Sequence, residues 1–145
     1  MPTLTGHCHC GNIKILFDTE LILGKLSLRA CQCSFCRSHG AVTTADPRGK
    51  LHITASDRET VQHYRFGLGI TDVLICKRCG NYVAGVIEAN GQRYATLNAN
   101  LLDGRAELNQ PPQPVNYDGE TAEQRRARRK TSWTPLESGS DLLQA

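Results

Sequence analysis

The stretch ACQCSFCRSHG, residues 30–40, places three cysteines within six positions and follows them with an arginine and a histidine. A closed tetrahedral metal site takes four protein ligands, so a local group of three either draws a fourth from elsewhere or leaves one position open. The remaining cysteines bear on that choice. Cys8 and Cys10 lie in HCHCG (7–11) and Cys76 and Cys79 in CKRCG (76–80), and in both the second cysteine is followed by glycine. Glycine there lets the chain turn tightly, so that backbone N–H groups face the sulfurs. The two pairs read as halves of one knuckle-built site, Cys8, Cys10, Cys76 and Cys79, the closed four-thiolate set that structural zinc takes. Cys36 runs instead into RSHG, with no second half to match it. Cys31, Cys33 and Cys36 can wrap a second zinc from one loop and leave its fourth corner for water or substrate. The alternative is that a histidine, His39, His7, His9 or another, closes that site too.

The rest of the composition suits such a reading. A chain of 145 residues is enough for one domain with its own core. Three Phe and one Trp are few to fill it, so metal is expected to brace the fold. Structural zinc binds zinc-finger peptides with roughly 10–16 kcal/mol, and stripping it should unfold the domain. The N-terminal sequence MPTLTGHCHCGNIKILFD has no basic segment leading into an apolar run, and no later stretch is long enough to cross a bilayer. The expected compartment is the cytoplasm, whose reducing conditions make the seven cysteines ligands or catalysts rather than disulfides. The net charge of +3 is cancelled once seven thiolates and two zinc ions are counted, which weakens any argument from basicity toward nucleic acid.

Short runs of β-branched or alternating apolar residues recur as NIKILF (12–17), KLSLRA (25–30), KLHITA (50–55), VQHYRF (61–66), TDVLIC (71–76), YVAGVIE (82–88) and RYATLN (93–98). They predict a mainly β protein of small antiparallel sheets braced by the two zinc sites. Asn90-Gly91 between two such runs predicts a type I′ hairpin turn. Composition shifts near Gln110, in NQPPQPVNYDG (109–119). The two-zinc β domain is therefore expected over residues 1–118, and residues 119–145 as a basic C-terminal tail packing back onto it through Trp133. ETAEQRRARRK (120–130) predicts a short helix, acidic early and basic late as the helix dipole favours, with its arginines read as a solvated helix end or arm.

GHCHCGNIKI (6–15), CQCSFCRSHG (31–40) and CKRCG (76–80), in this order, with LNANLLD (97–103), resemble the glutathione-dependent formaldehyde-activating enzyme family, whose eukaryotic branch includes centromere protein V. The resemblance covers roughly residues 6–103. It implies a Mss4-like, two-zinc fold, with structural zinc on Cys8, Cys10, Cys76 and Cys79 and catalytic zinc on Cys31, Cys33 and Cys36. It also implies a carbon–sulfur lyase reaction joining formaldehyde to glutathione. Two departures stand out: Ile75 where the family often has Phe, and no histidine after the proline-rich stretch.

A three-thiolate zinc carries a net negative charge, so cations should attend it. Arg37 and His39 are the candidates for binding the thiol or its carboxylates, with Arg29 and Arg48 flanking the loop. No general base is evident: His52 and His63 fall on predicted strands, and Asp46 and Asp103 have no support. Two other classes remain, a glutathione- or thiol-binding protein without turnover and a zinc-ribbon-like nucleic-acid or partner-binding module using Arg125, Arg126, Arg128 and Arg129. A homodimer is an arrangement the sequence leaves open.

Overall fold

The computed structural model describes residues 1–137, and among them the chain is mainly β. A three-stranded antiparallel sheet is made of β1 (Thr3–His7), β2 (Ile13–Asp18) and β5 (Lys50–Ala55), in the order β1-β2-β5. The larger sheet runs β10-β3-β4-β9-β8-β7-β6, from β10 (Gln113–Val115), β3 (Arg29–Cys31) and β4 (Thr43–Thr44) to β9 (Gln92–Asn98), β8 (Tyr82–Ala89), β7 (Asp72–Cys76) and β6 (Val61–Tyr64). β11 (Thr134–Pro135) adds to β9 beside β4. Neighbours are antiparallel except β10, which lies parallel to β3. The helices are α1 (Ser34–His39) and α2 (Ala122–Ser132).

Alternation drives the sheets together. In β2, Ile13, Ile15 and Phe17 are buried while Lys14 and Leu16 face out, and β5 matches them with buried Leu51 and Ile53. These side chains form one core with Leu74, Val83, Val86 and Leu97 of the larger sheet. A second, smaller cluster joins Val73 and Tyr82 to Ala41, Phe35, Cys36 and Ile75. In β7 the alternate residues Val73 and Ile75 belong to this cluster while Leu74 and Cys76 belong to the main core, as a strand with period two requires. The larger sheet is thus covered on both faces.

Asn90 and Gly91 join β8 to β9 with φ of 54° and 78°, the positive angles a type I′ turn needs. The predicted strand over 25–30 forms only at its end. Leu26 and Leu28 are buried in alternation, but the carbonyls of Leu23 and Leu26 accept from the side chain of Gln110, each at 2.8 Å. A glutamine amide there takes the place of a partner strand.

α2 is closed at its start by a capping box: Thr121 Oγ1 accepts from Gln124 N at 3.1 Å and Thr121 N donates to Gln124 Oε1 at 2.9 Å. The helix packs on β8, Trp133 beyond it is buried, and β11 then pairs with Tyr94 and Ala95 of β9. No helix among the described residues is long and apolar enough to cross a membrane.

Candidate metal centres and the cleft between them and the C-terminal helix

Cys8 and Cys10 follow β1, Cys76 ends β7 and Cys79 follows it; their four sulfurs lie within 4.8 Å of one another. The two turns are built alike. Cys8 N donates to Ile13 O and Cys76 N to Asn81 O, both at 3.0 Å, and the glycines that close them, Gly11 and Gly80, have φ of 82° and 80°. Asn81 Oδ1 also accepts from His9 N at 2.6 Å, tying one turn to the other. The Sγ distances of 3.7 Å for Cys8–Cys10 and 3.6 Å for Cys10–Cys76 match the roughly 3.8 Å edge of a tetrahedron with metal–sulfur bonds of about 2.3 Å. Donors surround the sulfurs: Ile13 N reaches Cys8 Sγ at 3.3 Å and Asn12 Nδ2 reaches Cys76 Sγ at 3.7 Å. Burial opposes ionisation of Cys76, but the backbone N–H groups of Cys79 and Arg78 and the Asn12 amide bring its thiol down to about 6. Burial pushes Cys8 up to about 12. The donor set, its spacing and its N–H supply fit a closed metal centre.

Cys31 ends β3, Cys33 caps α1 and Cys36 lies within it, with the three sulfurs again within 4.8 Å of one another. Cys33 Sγ accepts from Cys36 N at 3.4 Å, the role an N-cap oxygen usually fills. The neighbouring Cys36 thiol, with help from Cys33 N–H and the charge of Arg129, brings the Cys31 thiol down to about 5 against the effect of burial; the same pairing, and then burial, push Cys36 up. Among the described residues no histidine or carboxylate joins the group. The readings that give His39, His7 or His9 to this site find no such ligand here: the His39 ring stacks on Phe35 at 4.5 Å, His7 faces Asp103, and His9 belongs to the other turn.

The three cysteines line an open-mouthed cleft with an inner volume of about 120 Å³. Phe35, Phe66, Val73 and Tyr82 make one side, and Trp133, Arg125, Arg128 and Arg129 another. Gly85 of β8 forms part of the floor. A Cβ there would stand 3.4 Å from Thr71 Cγ2 and Trp133 Cη2 and 3.5 Å from the Tyr82 hydroxyl. Burial, and then the charge of Cys36, push the Tyr82 phenol above its usual range, so it stays protonated.

The sequence predicts a solvated end or arm for the arginines of α2, but the fold turns Arg125, Arg128 and Arg129 inward and leaves Arg126 exposed. Arg128 Nε and Nη2 hold Glu120 at 2.8 and 2.9 Å, Arg125 Nε holds it at 3.2 Å, and Arg128 stacks over Tyr117 at 3.4 Å. Arg129 donates from Nη1 to Thr71 Oγ1 at 2.6 Å and lies 4.2 Å from the Trp133 ring. Burial and its two arginine neighbours bring its pKa down to about 10. Arg125, Arg128 and Arg129 are spaced three and four apart, and this spacing was the available signal that they share a face.

Of the other candidates, Arg29 lines the cleft, whereas Arg37 and His39 are exposed and not among its lining, His39 touching it only through the ring of Phe35. His63 is exposed on β6, and His52 faces Glu137 at 3.7 Å. Asp46 is buried, accepting from Thr19 Oγ1 at 2.6 Å and Arg48 N at 3.0 Å, and Asp103 accepts from Thr5. Neither aspartate lines the cleft.

A mainly β domain with one set of four cysteines, and a second set of three opening on a cleft, defines a small protein with two cysteine clusters that could hold metal. The chain belongs to the glutathione-dependent formaldehyde-activating enzyme family, whose model matches residues 3–116. It is also similar to the crystal structure of a Rhodobacter sphaeroides protein, with 30% identity, 75% of this chain and 98% of that chain covered, and a TM-score of 0.55. Comparison with curated proteins gives no match. The family match ends before α2, so Arg125, Arg128, Arg129 and Trp133 lie beyond it.

Proposed function

We propose that the protein is a zinc-dependent carbon–sulfur lyase that adds a small thiol, such as glutathione, to formaldehyde or a related small aldehyde, and reverses the addition. In this reaction one carbon–sulfur bond forms, and the thiol proton passes to the carbonyl oxygen to give a hydroxymethyl thioether. No oxidant or reductant is required. The observation that carries the reading is the three-cysteine set, which gathers no fourth protein ligand among the described residues and opens on a cleft. Both cysteine sets suit zinc, one ion in each, because soft thiolates in tetrahedral spacing select it. Zinc on Cys31, Cys33 and Cys36 would supply Lewis acidity and hold an incoming thiol ionised.

The chain's own residues support the chemistry in two ways. Phe35, Val73 and Trp133 give the cleft apolar walls that limit water around the reacting groups. Tyr82, held protonated, offers a hydroxyl to an oxygen that gains charge as the bond forms. Arg125 and Arg128 are committed to Glu120, which leaves little of the tail's charge for nucleic acid.

The test is exchange between formaldehyde, glutathione and their adduct at equilibrium, followed by magnetisation-transfer NMR with the metal-loaded chain. Acceleration that disappears in Cys33→Ser supports the reading. Two zinc ions per chain with no acceleration would overturn it, leaving a thiol-binding protein.

A further inference from the structure

Two arginines in this fold, Arg65 and Arg128, pair with carboxylates through the Nε–Nη2 edge of the guanidinium. Arg65 holds Asp72 through Nε and Nη2 at 2.7 and 3.2 Å, and Arg128 holds Glu120 through the same two nitrogens at 2.8 and 2.9 Å. Arg129 differs. Its Nη1 is fixed by Thr71 and its face by Trp133, but its Nε is buried without a hydrogen-bond partner, and Nη2 makes no hydrogen bond among the described residues. The edge that Arg65 and Arg128 give to a carboxylate is unused.

A buried guanidinium donor left unpaired is costly. Two structures could relieve the cost, the cysteine sulfurs or an incoming anion. The sulfurs of Cys31, Cys33 and Cys36 share the cleft, yet no hydrogen bond joins them to Arg129. Glu120 is occupied by Arg125 and Arg128. Asp118 at the rim is exposed and hydrogen-bonded through its backbone to Asn116, and it makes no ion pair among the described residues. An anion arriving in the cleft is therefore the remaining partner, and a planar carboxylate matches the free edge in geometry as well as charge.

We propose that Arg129, oriented by Thr71 and Trp133, is the docking point for a carboxylate of the small thiol that enters the cleft. This rests on the reading of the ligand as a small thiol, and it goes beyond that reading by assigning specificity to α2, outside the segment the family model matches. The consequence is a preference for acidic thiols over neutral ones of the same size. Arg129 is thus a specificity residue, set apart from the cysteines that would hold metal.

The experiment is calorimetric titration of the metal-loaded full chain with glutathione and with its diethyl ester, which keeps the thiol but masks both carboxylates. A charge-assisted hydrogen-bonded pair predicts that glutathione binds about 10–100-fold more tightly. Arg129→Gln should remove this ratio by weakening glutathione alone, leaving ester affinity unchanged, and Arg129→Lys should restore part of it. Equal binding of the two ligands, binding of neither, or a ratio that survives Arg129→Gln overturns the proposal. Zinc content and circular dichroism check that the variant is folded. Should it not fold, Thr71→Val decides: it frees the guanidinium to turn, so a reduced ratio supports the proposal and an unchanged one overturns it. Adduct exchange is measured separately. Discrimination without exchange keeps the role of Arg129 and removes the lyase reading; exchange without discrimination does the reverse.

Discussion

Ile75 and Cys76 are consecutive in β7 and serve different clusters: Ile75, like Phe35 and Cys36, packs against the cluster of Ala41, Val73 and Tyr82, while Cys76 enters the main core, with its sulfur 3.6 Å from that of Cys10. One strand therefore supplies a sulfur to the closed set and, from its alternate residues, packs against the cluster that includes Cys36. Ile75 is also where the sequence departs from the Phe that the family often has, and the departure falls in the smaller cluster around Tyr82 rather than in the closed set.

The two centres should respond differently to loss of a ligand. Cys79→Ser opens a set that fastens the turn after β1 to the turn after β7. Structural zinc contributes roughly 10–16 kcal/mol, about the whole net stability of a domain, roughly 5–15 kcal/mol. The variant is expected to be unfolded and to bind less than one zinc per chain. Cys33→Ser should keep its fold, lose one zinc and lose exchange activity. Zinc counting with circular dichroism checks both; equal unfolding of the two variants would show that the division of labour is wrong.

The cysteine sets were legible because their order and the glycines after Cys10 and Cys79 are local features. The hairpin at Asn90-Gly91 was legible for the same reason. The cleft was not, since its walls come from α1, β7, β8 and α2, and only the closed fold brings Phe35, Gly85 and Arg129 together. Charge was a poor guide to the tail. Glu123, Arg126 and Lys130 make the outer face look solvated, while Arg125 and Arg129 share the inner one and Trp133 follows one turn after Arg129. The strand expected at 25–30 was displaced by Gln110, a side chain 84 residues from Leu26, which no local pattern reveals.

Gly85 sets the depth of the cleft. A methyl there meets Thr71 and Trp133 at 3.4 Å, ordinary contact, so Gly85→Ala should fold and bind nearly as the parent does. Gly85→Leu projects into the space between Tyr82 and Trp133. It is expected to weaken glutathione at least about tenfold in calorimetry with both zinc ions retained; unchanged affinity would place the ligand elsewhere.

Tyr82→Phe removes the buried hydroxyl and little volume. If the hydroxyl donates to the oxygen that gains charge, kcat for adduct exchange should fall about 10²–10³-fold, as for other preorganised donors, while KM and zinc content hold. A change in KM alone would make the phenol part of the binding wall.

Acid should loosen α2 through Glu120. Arg128, against some desolvation and with help from Arg125, holds this carboxyl down at about 2, below its ordinary 4.5. A carboxyl depressed in the folded state stabilises fully above its unfolded value, and the contribution is lost as pH falls through the folded one. The stability difference between the parent and Glu120→Gln should therefore be constant above about pH 5 and shrink between about 4.5 and 2. Taking the difference removes the acid release of metal that both proteins share. Denaturant midpoints followed by Trp133 fluorescence, the chain's one tryptophan, give the measurement. A difference that stays flat down to pH 2 would mean that the Glu120–arginine pair does not hold the helix to the sheet.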